Sequence, residues 1–239
     1  MAYGKWLRYF TRTEWILWGA SAAGVLLSFL LFDRESVLTL AASLIGVTSL
    51  IFNAKGHPVG QALMVVFSVL YGIISFGFRY YGEMITYLGM TMPMAVLALV
   101  SWLRHPYQGN RSEVRVNHVK GKEWLLLSVL TVCVTAGFCF LLKLFHTANL
   151  IPSTVSVATS FAAAYLTFRR SPWFAVAYAA NDLVLIVLWI LASTQDPRYV
   201  SVTVCFAAFF FNDVYGFVNW QRMKKSQKRR EQADVLPFT

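Results

Sequence analysis

Long apolar runs separated by short polar turns organise this chain. Eight runs stand out, at 14–32, 36–53, 58–78, 83–103, 123–145, 150–168, 172–193 and 199–220. Each approaches the about 20 residues that a helix needs to cross a hydrocarbon core. The runs are apolar nearly all round, as expected of helices surrounded by lipid and other helices. They lack the alternation of polar and apolar positions that marks a transmembrane β-strand. Turn chemistry lies between them, as in Asn53-Ala-Lys-Gly-His-Pro58, Arg104-His-Pro-Tyr-Gln-Gly109, Arg170-Ser-Pro172 and Gln195-Asp-Pro197. The pattern predicts an all-α, polytopic membrane protein with about eight transmembrane helices in one membrane domain.

Composition supports this class. The chain is 57% hydrophobic and 13% charged, against about 25% charged in ordinary soluble domains. Trp and Tyr gather at run ends, including Tyr80, Tyr81, Trp102, Trp124, Trp173, Tyr199 and Trp220, where an aromatic belt is expected. Cys133, Cys139 and Cys205 lie inside apolar runs and read as packing residues. The first run ends at Asp33-Arg34-Glu35 without a small-residue cleavage site, so it reads as a retained helix.

The net charge of +10 raises the question of nucleic acid, and the placement of the charges answers it. One side of the predicted bundle holds Lys5, Arg8, Arg12, Lys55, Arg104, Arg111, Arg115, Lys120, Lys122, Arg169, Arg170 and the tail from Arg222 to Arg230. The other holds Arg34, Arg79, Lys143 and Arg198, a division of 17 against 4. This bias sets an even number of spans with both termini cytoplasmic. The tail and the loop at 104–122 read as topology determinants that meet anionic headgroups, with no nucleic-acid partner.

The stretch from Pro58 to Trp102 echoes that from Pro172 to Trp220. Each begins with a basic turn and a proline, and each closes on a small polar residue plus Trp: Ser101-Trp102 and Asn219-Trp220. The division expected is an extra N-terminal helix (1–35), a three-helix unit (36–103), a linking helix (123–145), a second three-helix unit (150–222) and a basic cytoplasmic tail (223–239). A linking helix restores the orientation of the second unit after an odd number of spans, giving a 3+1+3 parallel repeat.

Two Asn-Asp pairs, Asn181-Asp182 and Asn212-Asp213, stand inside apolar runs. A carboxylate at mid-depth costs about 2.5–3.5 kcal/mol on insertion scales and is a functional candidate by default. Tyr178, Asn181, Asp182 and Trp189 share one face of the seventh run, and Asn212, Tyr215 and Asn219 one face of the eighth. Asp213 points to one side of that face. Ser68 and Tyr71 lie on a stripe of the third run, and Tyr87, Thr91 and Met94 on one of the fourth. Pro93 removes a helix hydrogen bond there. The substrate-binding candidates are thus Asn181, Asp182, Tyr178, Trp189, Asn212, Tyr215, Tyr71, Ser68, Tyr87, Thr91 and Met94. Asp213, Asn219, Trp220 and Pro93 are structural or gating candidates. The competing reading makes the hydroxyls and amides interhelical glue, worth about 0.6 kcal/mol each.

Carboxylates with aromatics suit a flat ring bearing positive charge, and amides and hydroxyls suit a sugar. Enzymatic signals are weak. His57, His105, His118 and His146 lie in loops or at run ends. No metal-ligand spacing, G-x-S-x-G or phosphate-binding glycine loop occurs. No metal or cofactor is expected.

Tyr80-Tyr-Gly-Glu-Met-Ile-Thr-Tyr87, Ser101-Trp-Leu-Arg-His-Pro106, Arg169-Arg-Ser-Pro172, Tyr178-Ala-Ala-Asn-Asp182 and Asn212-Asp-Val-Tyr-Gly-Phe217 with Asn219-Trp220 resemble the PnuC family of bacterial vitamin B3 transporters, from about Ser36 to Trp220. The resemblance implies a SWEET-like seven-helix core, a homotrimer in the bacterial inner membrane, and facilitated diffusion of nicotinamide riboside with trapping by a separate cytoplasmic kinase. Other members often carry two tryptophans a turn apart early in the penultimate helix, where this chain reads Trp173-Phe174-Ala175-Val176-Ala177. Thiamine and riboflavin are alternative ring-containing substrates. From other classes, a membrane assembly subunit that transports nothing and an intramembrane enzyme are alternative functions.

Overall fold

A computed structural model of the protein describes residues 9–77, 80–147 and 149–235. Lys5, Arg8 and Arg79 of the charge pattern lie outside these residues. Among the described residues, eight helices are long and apolar enough to cross a membrane. They are α1 (Arg12–Phe32), α2 (Val37–Ala54), α3 (Val59–Gly77), α4 (Tyr81–Arg104), α5 (Gly121–Leu144), α6 (Leu150–Phe168), α7 (Trp173–Ser193) and α8 (Val200–Val235). Each overlaps one predicted run.

Local chemistry sets several of the ends. Thr11 caps α1 in a reciprocal box: its hydroxyl accepts from Glu14 N at 3.3 Å, and the Glu14 carboxylate accepts from Thr11 N at 2.7 Å. The Ser36 hydroxyl accepts from Thr39 N at the start of α2. The end of α6 reverses through Arg170, whose φ of 56° lies in the left-handed region. Glycine or asparagine usually takes that position.

α8 departs most from the expectation. It continues through the basic tail to Val235, well past the apolar run. Lys, Arg, Gln and Glu dominate this extension and are good helix formers. It is also anchored. Gln227 Oε1 accepts from Val116 N, Gln227 Nε2 donates to Val114 O, and Tyr107 donates its hydroxyl to Gln227 O. Tyr107 and Val114 belong to a short antiparallel hairpin, β1 (Pro106–Tyr107) and β2 (Asn110–Val114), in the loop after α4, and Val116 follows it.

α2, α3, α4, α6, α7 and α8 close into a ring in that order, each packed on the next and α8 packed back on α2. α1 lies outside the ring on α8 and α2, and α5 lies outside it on α6 and α4. Both outer helices present large apolar side chains outward, among them Ile16, Leu31, Val132 and Phe140, as lipid contact requires.

The two seams between the halves of the ring are built alike. Trp102 of α4 donates Nε1–H to Thr167 O at the end of α6, and Ser101 donates to Phe168 O. Trp220 of α8 donates Nε1–H to Asn53 O at the end of α2, and Asn219 donates to Ala54 O. Each tryptophan adds a second bond to a carbonyl that already accepts a turn N–H, Thr167 O from Arg170 and Asn53 O from Gly56, at a helix end where carbonyls lack intrahelical partners.

Candidate functional site

All six ring helices contribute to one small central cavity. Leu50 comes from α2, Met64 and Phe67 from α3, Tyr87 and Thr91 from α4, and Ser160 from α6. Tyr178, Asn181 and Asp182 come from α7, and Phe206, Phe209 and Asp213 from α8. Its volume is about 20 Å³, room for about one water molecule. A drug-sized ligand needs about 300 Å³ or more, so the ring here is in a closed arrangement.

Sequence features explain how the lining is delivered. Tyr87 and Thr91 lie in a five-residue π turn, Tyr87–Thr91, closed by the Met92 N–H bonding to Tyr87 O. Pro93 follows at once and has no N–H to give back to the helix, so the ladder slips by one residue before it. Gly46 of α2 admits the rings of Phe209 and Phe67. A Cβ there would stand 2.4 Å from Phe209 Cζ and 3.0 Å from Phe67 Cδ2.

Polar groups in the cavity fall into two sets. Asn181 Oδ1 accepts from the hydroxyls of Ser156, Thr159 and Ser160 at 3.3, 2.9 and 2.9 Å. Those bonds tie α7 to α6 and leave the amide nitrogen for the cavity. Asp182 and Asp213 form the second set. Both are buried, and their side chains interact across the α7–α8 contact. Asp182 Oδ2 has no hydrogen-bond partner. Among the described residues lining the cavity, none is Lys, Arg or His. Two adjacent carboxyls without a counter-ion either share a proton or receive a guest that brings positive charge. The rings of Phe67, Tyr87, Tyr178, Phe206 and Phe209 supply flat, polarisable walls.

Other residues expected at the site are placed elsewhere. Asn212 donates through Nδ2 to Ser21 Oγ and Ala208 O, and Tyr215 donates its hydroxyl to Glu14 Oε1. Both face α1, outside the ring. Periodicity finds a polar face but does not say which neighbour covers it, and α8 packs on three helices. Conversely Asp213, expected to point aside, lines the cavity beside Asp182.

Tyr71, Trp189, Ser68 and Met94 form a second layer. Tyr71 packs on Tyr87 with ring centroids 4.3 Å apart, and Trp189 packs on Tyr80 and Tyr199 at 5.0 and 5.5 Å. These rings lie beyond Tyr87, toward the helix ends opposite the basic turns. Ser68 spends its hydroxyl on Met64 O. Met94 packs with the cluster around Trp102 and Phe161. Toward the basic end, Trp220 packs on Trp102 and Phe174, with centroids 5.4 and 4.9 Å apart.

Three buried acids, Glu14, Asp33 and Glu83, escaped the sequence reading because they lie at run ends. Glu83, near the start of α4, is fully buried and its Oε2 has no hydrogen-bond partner. Glu14 accepts from Lys55 Nζ at 3.1 and 3.0 Å as well as from Tyr215. Lys55 also lies 4.7 Å from the centroid of the Tyr9 ring. This cluster fixes α1 to α2 and α8.

The family model described as "Nicotinamide mononucleotide transporter" matches residues 36–222. The nicotinamide riboside transporter PnuC of Neisseria mucosa is 23% identical over 229 residues, covering 93% of this chain and 84% of that protein. The nicotinamide riboside transporter PnuC of Haemophilus influenzae is 21% identical over 194 residues, covering 80% and 82%. Among solved structures, the crystal structure of the vitamin B3 transporter PnuC superposes with a TM-score of 0.79 at 22% identity, over 91% of this chain and 94% of that one. The likeness shows a common fold.

Proposed function

The chain belongs to the nicotinamide mononucleotide transporter family, and from that premise we propose that it takes up nicotinamide riboside by facilitated diffusion. The observation that carries this reading is the Asp182–Asp213 carboxyl pair inside a ring-lined, occluded cavity. Nicotinamide riboside is a pyridinium cation on a ribose. Its charge suits the carboxyls, its ring the aromatic walls, and its hydroxyls suit Asn181, Thr91 and Ser160. The curated relatives carry that substrate in their names.

In this account substrate sits between the units at 36–103 and 150–222, joined by the link at 123–145. Rocking of the units opens one end at a time. Tyr71 and Trp189 close the outer end. Trp102 and Trp220 close the inner end, with Asn219 and Ser101 as tethers. The N-terminal helix braces the α8–α2 seam. Both termini lie in the cytoplasm of a bacterium, and the protein sits in the inner membrane as a homotrimer. A separate cytoplasmic kinase traps the vitamin as its phosphate.

The test is uptake of labelled nicotinamide riboside into liposomes holding the purified protein. Uptake should follow the substrate gradient alone, and thiamine or riboflavin should compete poorly. Uptake only under an imposed proton gradient would reject facilitated diffusion, and preferred uptake of thiamine would reject the substrate.

A further inference from the structure

A second cavity, of about 500 Å³, lies at the basic end of the bundle, between the loop after α4, the α6–α7 turn and the α8 extension. Five cationic side chains line it, Arg115, Lys120, Arg170, Lys224 and Lys228, against the one carboxylate of Glu231. They come from three separate stretches of the sequence, the loop at 104–122, the Arg169-Arg170 turn and the tail, and the fold brings them around one hollow.

Arg115 pairs with Glu231 at 3.3 Å, and the crowding of the other four cations is unfavourable. Burial, then the charges of Arg169 and Arg115, holds the Arg170 pKa below its ordinary value. Burial, then Lys224 and Lys228, lowers that of His118 on the same wall. Arg170 also keeps a left-handed backbone that disfavours a side chain. Its guanidinium is held in place, with Nη1 donating to Ser101 Oγ at 2.8 Å and Nε to Arg115 O at 3.2 Å. Asn117 adds an amide nitrogen that is shielded from solvent and has no hydrogen-bond partner. Clustered cations with a spare donor are the chemistry of a phosphate site.

Size and position narrow the ligand. The volume is that of a nucleotide-sized pocket rather than of a lone ion. Lys224 and Glu231 lie four and eleven residues beyond Trp220 on the same helix, about 6 and 16 Å further along its axis. The pocket thus reaches past the headgroup layer into water.

We propose that this pocket binds the phosphate monoester of a nucleotide, and that the bound anion, by bridging the end of α4 to the α6–α7 turn and α8, opposes opening of the basic end. Its biological sense rests on the transport reading above, because phosphorylation of the carried nucleoside creates such an anion on that face. The site would then report accumulated product. The same phosphate chemistry is offered by an anionic lipid headgroup, and the experiment separates the two.

The full-length protein in nanodiscs of phosphatidylcholine is titrated with nicotinamide mononucleotide, with AMP and with nicotinamide riboside. The K224E/K228E double variant, which touches nothing in the central cavity, is titrated in parallel, with R115E as a second variant. Both nucleotides should bind the wild type, and charge reversal should weaken them by about tenfold or more, while riboside binding stays unchanged. Nucleotide on both sides of a proteoliposome should slow riboside uptake in the wild type and not in K224E/K228E. Equal nucleotide affinity in wild type and variants would overturn the proposal. So would loss of nucleotide binding when phosphatidylglycerol replaces a fraction of the neutral lipid, which would mark the pocket as a headgroup site. Riboside that fails to bind while the nucleotides do would reject the transport reading and leave this site standing.

Discussion

The indoles of Trp102 and Trp220 meet at the centre of the basic end, 5.4 Å between ring centroids, each bonded to a helix-terminal carbonyl across a seam. Trp102 closes the α4–α6 seam through Thr167 O, and Trp220 closes the α8–α2 seam through Asn53 O. Both side chains are fully buried. One contact therefore joins both seams on the basic side of the ring.

Replacing either tryptophan with phenylalanine keeps a ring and removes the donor. Each carbonyl keeps a turn bond, from Arg170 N to Thr167 O at 2.9 Å and from Gly56 N to Asn53 O at 3.0 Å, so the loss of the indole bond should cost about 0.5–1.5 kcal/mol. Thermal unfolding in detergent should show a lower Tm for W102F and W220F, with the double variant lowered by less than the sum because the rings share a contact.

Much of this was legible in the sequence. The eight spans follow from run length, and the Ser101-Trp102 and Asn219-Trp220 echo singled out the residues that make the two matching tethers, though not the tethers themselves. Asn181 and Asp182 were found because polar residues in apolar runs are costly. Legibility stopped where neighbours decide. Asn212 and Tyr215 lie on a polar face, but α1 covers it, and nothing in the local pattern says so. Asp213 differs from Asn212 by one position, about 100° around the helix, and that rotation carries it into the cavity. Glu14 looked like a run end, and its ion pair with Lys55 spans 41 residues of sequence. The helical tail was hidden because an apolar-run criterion stops at the last apolar residue.

Pro93→Ala tests the π turn. Restoring an N–H lets the ladder close in α-helical register and rotates Tyr87 and Thr91 away from the cavity. The variant should fold at least as stably as the wild type, yet take up substrate more slowly. Circular dichroism melts and liposome uptake report the two effects separately.

Gly46→Ala places a methyl group 2.4 Å from Phe209 Cζ. Overpacking of this kind costs about 1–3 kcal/mol. The Phe209 ring has the cavity as its nearest free space, so ligand affinity should fall together with Tm. Unchanged affinity in a folded G46A protein would mean that Phe209 yields in another direction.

Glu14 and Lys55 should behave as a pair. Removing one partner of a buried ion pair costs about 3–5 kcal/mol. The expected cost here lies toward the lower end, because Lys55 retains 16% of its side-chain exposure. E14Q or K55M should destabilise the fold, and E14Q/K55M should recover part of the loss. A double-mutant cycle on thermal or denaturant unfolding measures the coupling.

The central claim is that Asp182 and Asp213 receive the positive charge of the carried molecule. Its most direct test is calorimetric titration of the purified wild type, D182N and D213N with nicotinamide riboside, alongside their melting curves. Charged hydrogen bonds contribute about 1.5–3 kcal/mol, so each variant should bind about tenfold to a hundredfold more weakly without a loss of Tm. Full wild-type affinity in both folded variants would contradict the account.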